Sequence, residues 1–214
     1  MSTIKSGTHE WHLARQRAIT ATDAGDLCAP KGIGKAGLDA VQNIAAAWEC
    51  SEPYITAETY AMRRGNELQP IVEGLILDAF TDYERIDLDF KYLNDDVNSF
   101  VASSFDLVVK NKEGRKYHFE IKCPEKPANH RAFLKMKSPA DLKAINRDYF
   151  FQCIHELKVG AFDGCFFVSY HPNFQPDRQL TILTINPDEI KEDIALWAQR
   201  ISEAVELLKK EMYE

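Results

Sequence analysis

The chain has 214 residues, enough for one large domain with a real core, and its 45% hydrophobic and 28% charged content is that of an ordinary globular protein. No apolar run approaches the length needed to cross a bilayer, which points away from the membrane. A formal net charge of -7 points away from nucleic acid as a bulk property, although it says nothing of a local patch, and an acidic metal centre would add to the negative count.

The opening residues, MSTIKSGTHEWHLARQ, lack the apolar stretch of a secretory signal, so a cytoplasmic protein is expected. HEWHLARQRAITATDAGDLCAP reads as a short helix, a turn at ITAT and a second helix capped by Thr or Asp. KGIGKAG is rich in glycine, but it lacks the GK[ST] ending of a phosphate loop and no strand precedes it, so it reads as a surface loop. LDAVQNIAAAWEC is helical. So is AMRRGNELQPIVEGLILDAF, where Leu68, Ile71, Val72, Leu75, Ile76 and Phe80 recur at three- and four-residue steps. Three strands are predicted next: RIDLDFKYL, then SFVASSFDLVVK after the turn-like NDDVN, then KYHFEIKCP after NKEGR.

PANHRAFLKM and RDYFFQCIHELKVG read as helices, the second closed by Gly160 at a C-cap position. GCFFVSYHP reads as a buried strand and QLTILTI as an alternating one. In the tail, NPDEIKEDIALWAQRISEAVELLKK, Asn186 suits a cap, Pro187 a first turn and Glu189 the capping-box position. Its apolar stripe is Ile190, Ile194, Trp197, Ile201, Val205 and Leu208. There is no repeat and no low-complexity linker, so a single domain over residues 1–214 is expected, of the α/β (α+β) class with helices flanking a central mixed sheet. Five cysteines, scattered and never in a CxxC pair, argue against a disulfide framework and a cysteine-rich zinc site.

The chemistry concentrates in KYHFEIKCP. Successive side chains of a strand face opposite ways, so His118, Glu120 and Lys122 share one face, while Tyr117, Phe119 and Ile121 take the other, which reads as the core side. An acid and a lysine spaced this way are common on solvated strands, where they form a weak surface pair. A second acid changes the weighing. Asp106 interrupts an apolar run in ASSFDLVVK, and a buried carboxylate needs a cation or hydrogen-bond partners. If the two strands pair as a hairpin, Asp106 and Glu120 lie side by side, a pair of hard oxygen ligands suited to Mg²⁺. Lys122 beside them could orient or help deprotonate an attacking water, or stabilise charge building on a phosphate. The substrate that suits this kit is a phosphodiester.

An acid followed by EIK in the next strand resembles the PD-(D/E)xK nuclease superfamily, and the flanking motifs resemble its lambda-exonuclease type, the YqaJ viral recombinase family. EWHLARQRAITATDAG is similar to that family's Trp-x-x-x-Arg and Ile-Thr-Ala-Ser/Thr opening, and RRGNELQP to its Arg-Gly helix start. SSFDLVV resembles its Ser-Pro-Asp strand, FEIKCP its Glu-Leu/Ile-Lys-Cys-Pro and YFFQCIHELKVG its Tyr-x-x-Gln helix. The likeness spans about residues 9 to 172. It implies a restriction-endonuclease-like core and an N-terminal helical segment that binds the DNA end.

By resemblance, Asp106 and Glu120 are metal carboxylates, the carbonyl of Ile121 adds a ligand, Lys122 is the catalytic lysine and Gln152 helps hold the site. Arg15, Thr20, Thr22 and Ser104 fall where the family binds a terminal 5′-phosphate, with Arg17 two residues beyond the pocket arginine. A planar guanidinium and short hydroxyls suit that anion. Two positions depart from the pattern. Gln69 precedes Pro70 where the family has glutamate, leaving Glu73 or Glu67 to supply the carboxylate, and Phe105 stands where the family has proline. Lys31, Lys35, Arg63, Arg64, Lys126, Arg131, Lys135 and Lys137 could line a phosphate track, with Arg63, Arg64, Lys126 and Arg131 the first choices.

The resemblance implies a Mg²⁺-dependent 5′ to 3′ exonuclease on linear double-stranded DNA, with Mn²⁺ as a substitute ion. It further implies a homotrimeric ring, a single-strand annealing protein as partner, and a phage or prophage origin in a bacterial host. The alternatives are a structure-specific or restriction-like endonuclease and a non-catalytic DNA-binding protein with the same fold.

Overall fold

The computed structural model describes residues 4–213. Its centre is a five-stranded mixed sheet in the order β1-β4-β5-β6-β7. The strands are β1 (Tyr83–Ile86), β4 (Leu107–Asn111), β5 (Lys116–Lys122), β6 (Gly164–Tyr170) and β7 (Leu180–Ile185). Neighbours are antiparallel except β5 and β6, which run parallel. A parallel neighbour demands a crossover. It is built from α5 (Pro127–Phe133), α6 (Pro139–Ile145) and α7 (Arg147–Gly160).

Helices cover both faces of this sheet. Helix α4 (Tyr60–Ala79) lies on one, where Val72 and Ile76 pack with Leu107, Val109, Phe119, Ile121, Phe166 and Val168. Burying each such side chain contributes about 1.5–3 kcal/mol. The opposite face carries α7, backed by α2 (Ala21–Leu27), α3 (Lys35–Glu49) and α8 (Lys191–Tyr213). β6 is buried along its whole length because both of its faces are covered.

A second, two-stranded sheet pairs β2 (Phe90–Tyr92) with β3 (Ala102–Ser104). It ties down the junction between α1 (His9–Gln16) and α2: Ile19 donates to the Phe100 carbonyl at 2.8 Å, and Ala102 donates to the Ile19 carbonyl at 3.0 Å. The start of the chain is thereby fastened next to Ser104 and Asp106.

Two predicted strands are therefore each divided between the sheets. RIDLDFKYL supplies β1 and β2, and SFVASSFDLVVK supplies β3 and β4. Hydrophobic alternation runs on through both breaks, so periodicity alone does not show the change of sheet. Phe90 marks it by joining Ala14, Ala18 and Ala102 in a small separate core. Two cap assignments are also corrected. Gly160 is the last residue of α7, and the left-handed position is Ala161 at φ 54°. Glycine serves at 160 because a Cβ there would overlap the Phe162 ring. In the tail, Pro187–Ile190 forms a 3₁₀ turn ahead of α8, and the Asn186 side chain donates to Glu189 instead of capping the helix. The face of β5 with His118 and Glu120 is not solvated either: both residues are buried beneath α7, at 0% and 2% exposure.

Candidate active site

Asp106 stands where the chain passes from the small sheet to the large one. The antiparallel register pairs Leu107 with Phe119, so the next residues out, Asp106 and Glu120, are neighbours across the ladder. The Ile121 N–H donates to Asp106 Oδ2 at 2.8 Å and pins the carboxylate there. Glu120 forms an ion pair with Lys122 two residues along the same strand face, and the Lys122 ammonium also lies 4.8 Å from the Tyr149 ring centre. Pro124 ends the extended run just after this pair, and Pro127 opens α5. The strand stops where its chemistry is displayed.

A cleft of about 80 Å³ gathers Arg15, Thr20, Thr22, Ser104, Asp106, Glu120, Gln152 and Glu156. Helices α1, α2 and α7, strands β3 and β5 and the β3–β4 junction all contribute. Arg15 comes from α1, where its guanidinium stacks 4.7 Å from the Trp11 ring and donates to Ser104 Oγ at 3.3 Å. Trp11 Nε1 donates to the same hydroxyl at 3.0 Å. Thr20 precedes α2, with its N–H and hydroxyl both donating to Asp23 Oδ2 at 2.7 and 2.8 Å. Gln152 and Glu156 lie one turn apart on α7, and Gln152 Nε2 donates to Glu156 Oε1 at 3.2 Å.

Electrostatics here follow from burial. Burial first, and then Glu120, push the Asp106 carboxyl up to about 7, against the pull of Lys122 and the Ile121 N–H. Burial would depress the Lys122 ammonium, but Glu120 and Asp106 outweigh it and hold its pKa above the usual lysine value. Burial and then Glu120 raise the Glu156 carboxyl well above the carboxylate range, while burial lowers Arg15 against the opposing pull of Asp23. The cleft holds more potential negative charge than its own cations neutralise. Among the described residues, no group of three or more His, Cys, Asp or Glu side chains is placed to hold a metal ion; Asp106 and Glu120 are a pair.

The other positions singled out in the sequence fall around this cleft. Gln69 Nε2 donates to the Asp106 carbonyl at 3.4 Å and to Glu73 Oε1 at 2.9 Å, and Glu73 is clamped by Arg85 at 2.7 Å. Neither they nor the exposed Glu67 line the cleft. Arg64 donates to the Cys123 carbonyl at 3.2 Å, just past Lys122, whereas Arg63 pairs with Glu58 on the surface. Lys126 and Arg131 are exposed on and beside α5. Arg17 turns away: it donates to the Ala47 and Cys50 carbonyls and stacks on Trp48, tying α1 to α3. The sequence reading missed Glu156. Its signal was the four-residue spacing from Gln152 in QCIHE, which puts both on one side of a helix.

The sequence matches the YqaJ-like viral recombinase domain over residues 10–163. The fold is similar to an alkaline exonuclease (LHK-Exo) from Laribacter hongkongensis, with TM-score 0.77 and 20% identity over 96% of this chain and 94% of that one. The same enzyme in complex with dAMP gives TM-score 0.70 and 21% identity over 95% and 97% of the two chains. A phage related exonuclease from Haemophilus somnus 129PT gives TM-score 0.61 and 14% identity, over 91% of this chain and 96% of that one. A search of curated proteins gave no match.

Proposed function

The chain belongs to the YqaJ-like viral recombinase domain family, and from that premise we propose that it is a divalent-metal-dependent DNA exonuclease. In this reading it digests one strand of a linear duplex from the 5′ end, releases mononucleotides and leaves a 3′ single-stranded tail for recombination by strand annealing. The observation that carries the reading is the single cleft lined by Asp106, Glu120 and Gln152 together with Arg15, Thr20, Thr22 and Ser104. Acid chemistry and phosphate chemistry meet there.

Asp106 and Glu120 fit a divalent cation. They are neighbours in a partly enclosed site, and Asp106 is driven up to about 7 by burial and by Glu120, a cost that a cation bound between them would relieve. With the carbonyl of Ile121 they would hold Mg²⁺, or Mn²⁺ in its place. Bound there, the ion would polarise the scissile phosphate and the attacking water. Lys122 keeps its proton beside Glu120, so it serves as a fixed cation for the charge that builds on the phosphate.

Arg15, held between Trp11 and Ser104, offers a guanidinium to the terminal 5′-phosphate, with the Thr22 hydroxyl on the same cleft, while the Thr20 hydroxyl is committed to Asp23. Arg63, Arg64, Lys126 and Arg131 serve as duplex-backbone contacts in this reading. In this role residues 1–214 act as a single nuclease domain, working as a homotrimeric ring with an annealing protein in the cytoplasm of a bacterial host.

The test is a time course on a 5′-phosphorylated linear duplex and a closed circle, with and without Mg²⁺. Mononucleotide release from the linear duplex alone, and only with the ion, is expected. Cleavage of the circle would replace the proposal with an endonuclease, and metal-independent cleavage would overturn the metal role.

A further inference from the structure

Glu156 has no part in the steps above, yet it sits at a costly place. It is 2% exposed and lines the cleft, and its Oε2 has no hydrogen-bond partner although His118 Nδ1 lies 3.4 Å away. An acid buried with one oxygen unsatisfied opposes folding, so a position needed only for packing would favour an apolar side chain. Oε1 accepts from the Gln152 amide, and the carboxyl also lies within hydrogen-bonding reach of Glu120.

A primary amide has a donor end and an acceptor end of nearly equal size. Packing cannot tell them apart, but a hydrogen-bond partner can. With Glu156 Oε1 accepting one N–H of Gln152, the nitrogen end is fixed. The second N–H on that nitrogen is left for an anion in the cleft. In the opposite orientation the carbonyl of Gln152 would turn to the phosphate, and two acceptors would meet with no proton between them.

We infer that Glu156 is a positioning residue: it fixes the Gln152 amide so that an N–H, and not the carbonyl, faces the phosphate of the substrate. The role rests on the nuclease reading of the cleft. Glu156 acts through Gln152 and touches no substrate itself.

Two measurements test it. In the free protein, the side-chain NH₂ resonances of Gln152 are assigned by their loss in Gln152→Ala. They exchange slowly with solvent in the wild type and in Glu156→Gln, which keeps an acceptor oxygen, and rapidly in Glu156→Ala. Slow exchange in Glu156→Ala would overturn the contact.

The second measurement is cleavage of a 5′-phosphorylated duplex. Glu156→Ala lowers kcat about 10- to 100-fold, as supporting groups behind a reactive site commonly do. Glu156→Gln restores most of it, and Glu156→Ala adds nothing in a Gln152→Ala background. Equal losses in both backgrounds, or a folded Glu156→Gln as deficient as Glu156→Ala, overturn the role. If Glu156→Ala does not fold, Glu156→Leu fills the same volume without an acceptor and takes its place in both measurements. A wild-type chain that leaves the duplex intact defeats the nuclease reading and the role with it. Cleavage in which the Gln152 signals ignore residue 156 defeats the positioning role alone.

Discussion

Strand β5 presents two faces that solve opposite problems. Toward α4 it sends Phe119 and Ile121 into a cluster made entirely of apolar side chains and tyrosines, with Phe119 stacked on Phe166 at 4.6 Å. Toward α7 it sends His118 and Glu120, which are just as buried but lie beside Asp106 and Glu156. The first face gains stability from every contact. The second gives stability up, holding a neutral His118 whose pKa burial lowers to about 3 and acids that burial pushes upward. A seven-residue strand thus carries both the anchor of the fold and the groups that strain against it.

The contrast breaks most sharply at the acid–lysine pair. Lys122→Ala and Glu120→Ala are each expected to lower cleavage by about 1,000-fold or more, the scale of removing a group that acts in the transition state. Both chains should fold, and Lys122→Ala should keep most of its duplex binding. A gel time course with a binding assay on the same proteins checks this. On the other face Phe119→Ala should do the reverse, costing about 3–5 kcal/mol of stability by leaving a cavity. The fraction that remains folded should still cut, which denaturant melts with activity per folded molecule would show.

Asp106 sharpens the comparison through pH. Its folded pKa, about 7, lies above the value near 3.8 of an unfolded chain. The native state therefore binds more protons than the unfolded state between those values, and stability of the metal-free protein falls as pH rises from about 4 to about 7. At roughly 1.4 kcal/mol per pKa unit the loss amounts to a few kcal/mol. Asp106→Asn should flatten that slope to what the likewise raised Glu156 contributes, melt at a higher temperature than wild type at pH 8 and be inactive. An unchanged pH dependence of melting in Asp106→Asn would show that another group carries it. The smallest effect belongs to Arg15. Arg15→Ala should slow digestion of 5′-phosphorylated ends about 10-fold, the loss of a charge-assisted contact, and leave 5′-hydroxyl ends nearly unchanged. Equal losses on both ends would remove the phosphate pocket from the account.

What could be read from the sequence followed how local each signal is. The pairing of Asp106 with Glu120 was legible because a short turn between two alternating runs fixes a hairpin, and the ladder register then follows. The α4 helix and the buried β6 were legible from apolar periodicity. The division of two predicted strands between separate sheets was not, because alternation is a property of the backbone pleat and says nothing of which sheet receives it. Burial of His118 and Glu120 was hidden for a related reason. A polar face reads as a wet face, and only the crossover that lays α7 over β5 shows that this one is enclosed. Glu156 escaped attention as one more acid on a helix, since its significance lies in what the fold brings against it.

The proposed role of Asp106 and Glu120 as a cation site within the cleft is tested most directly by calorimetric titration of the protein with Mn²⁺ in the absence of DNA. Saturable binding to the wild type is expected, with the affinity reduced at least about 10-fold in Asp106→Asn and in Glu120→Gln, as each removes a charged ligand. Wild-type affinity in both variants would contradict it.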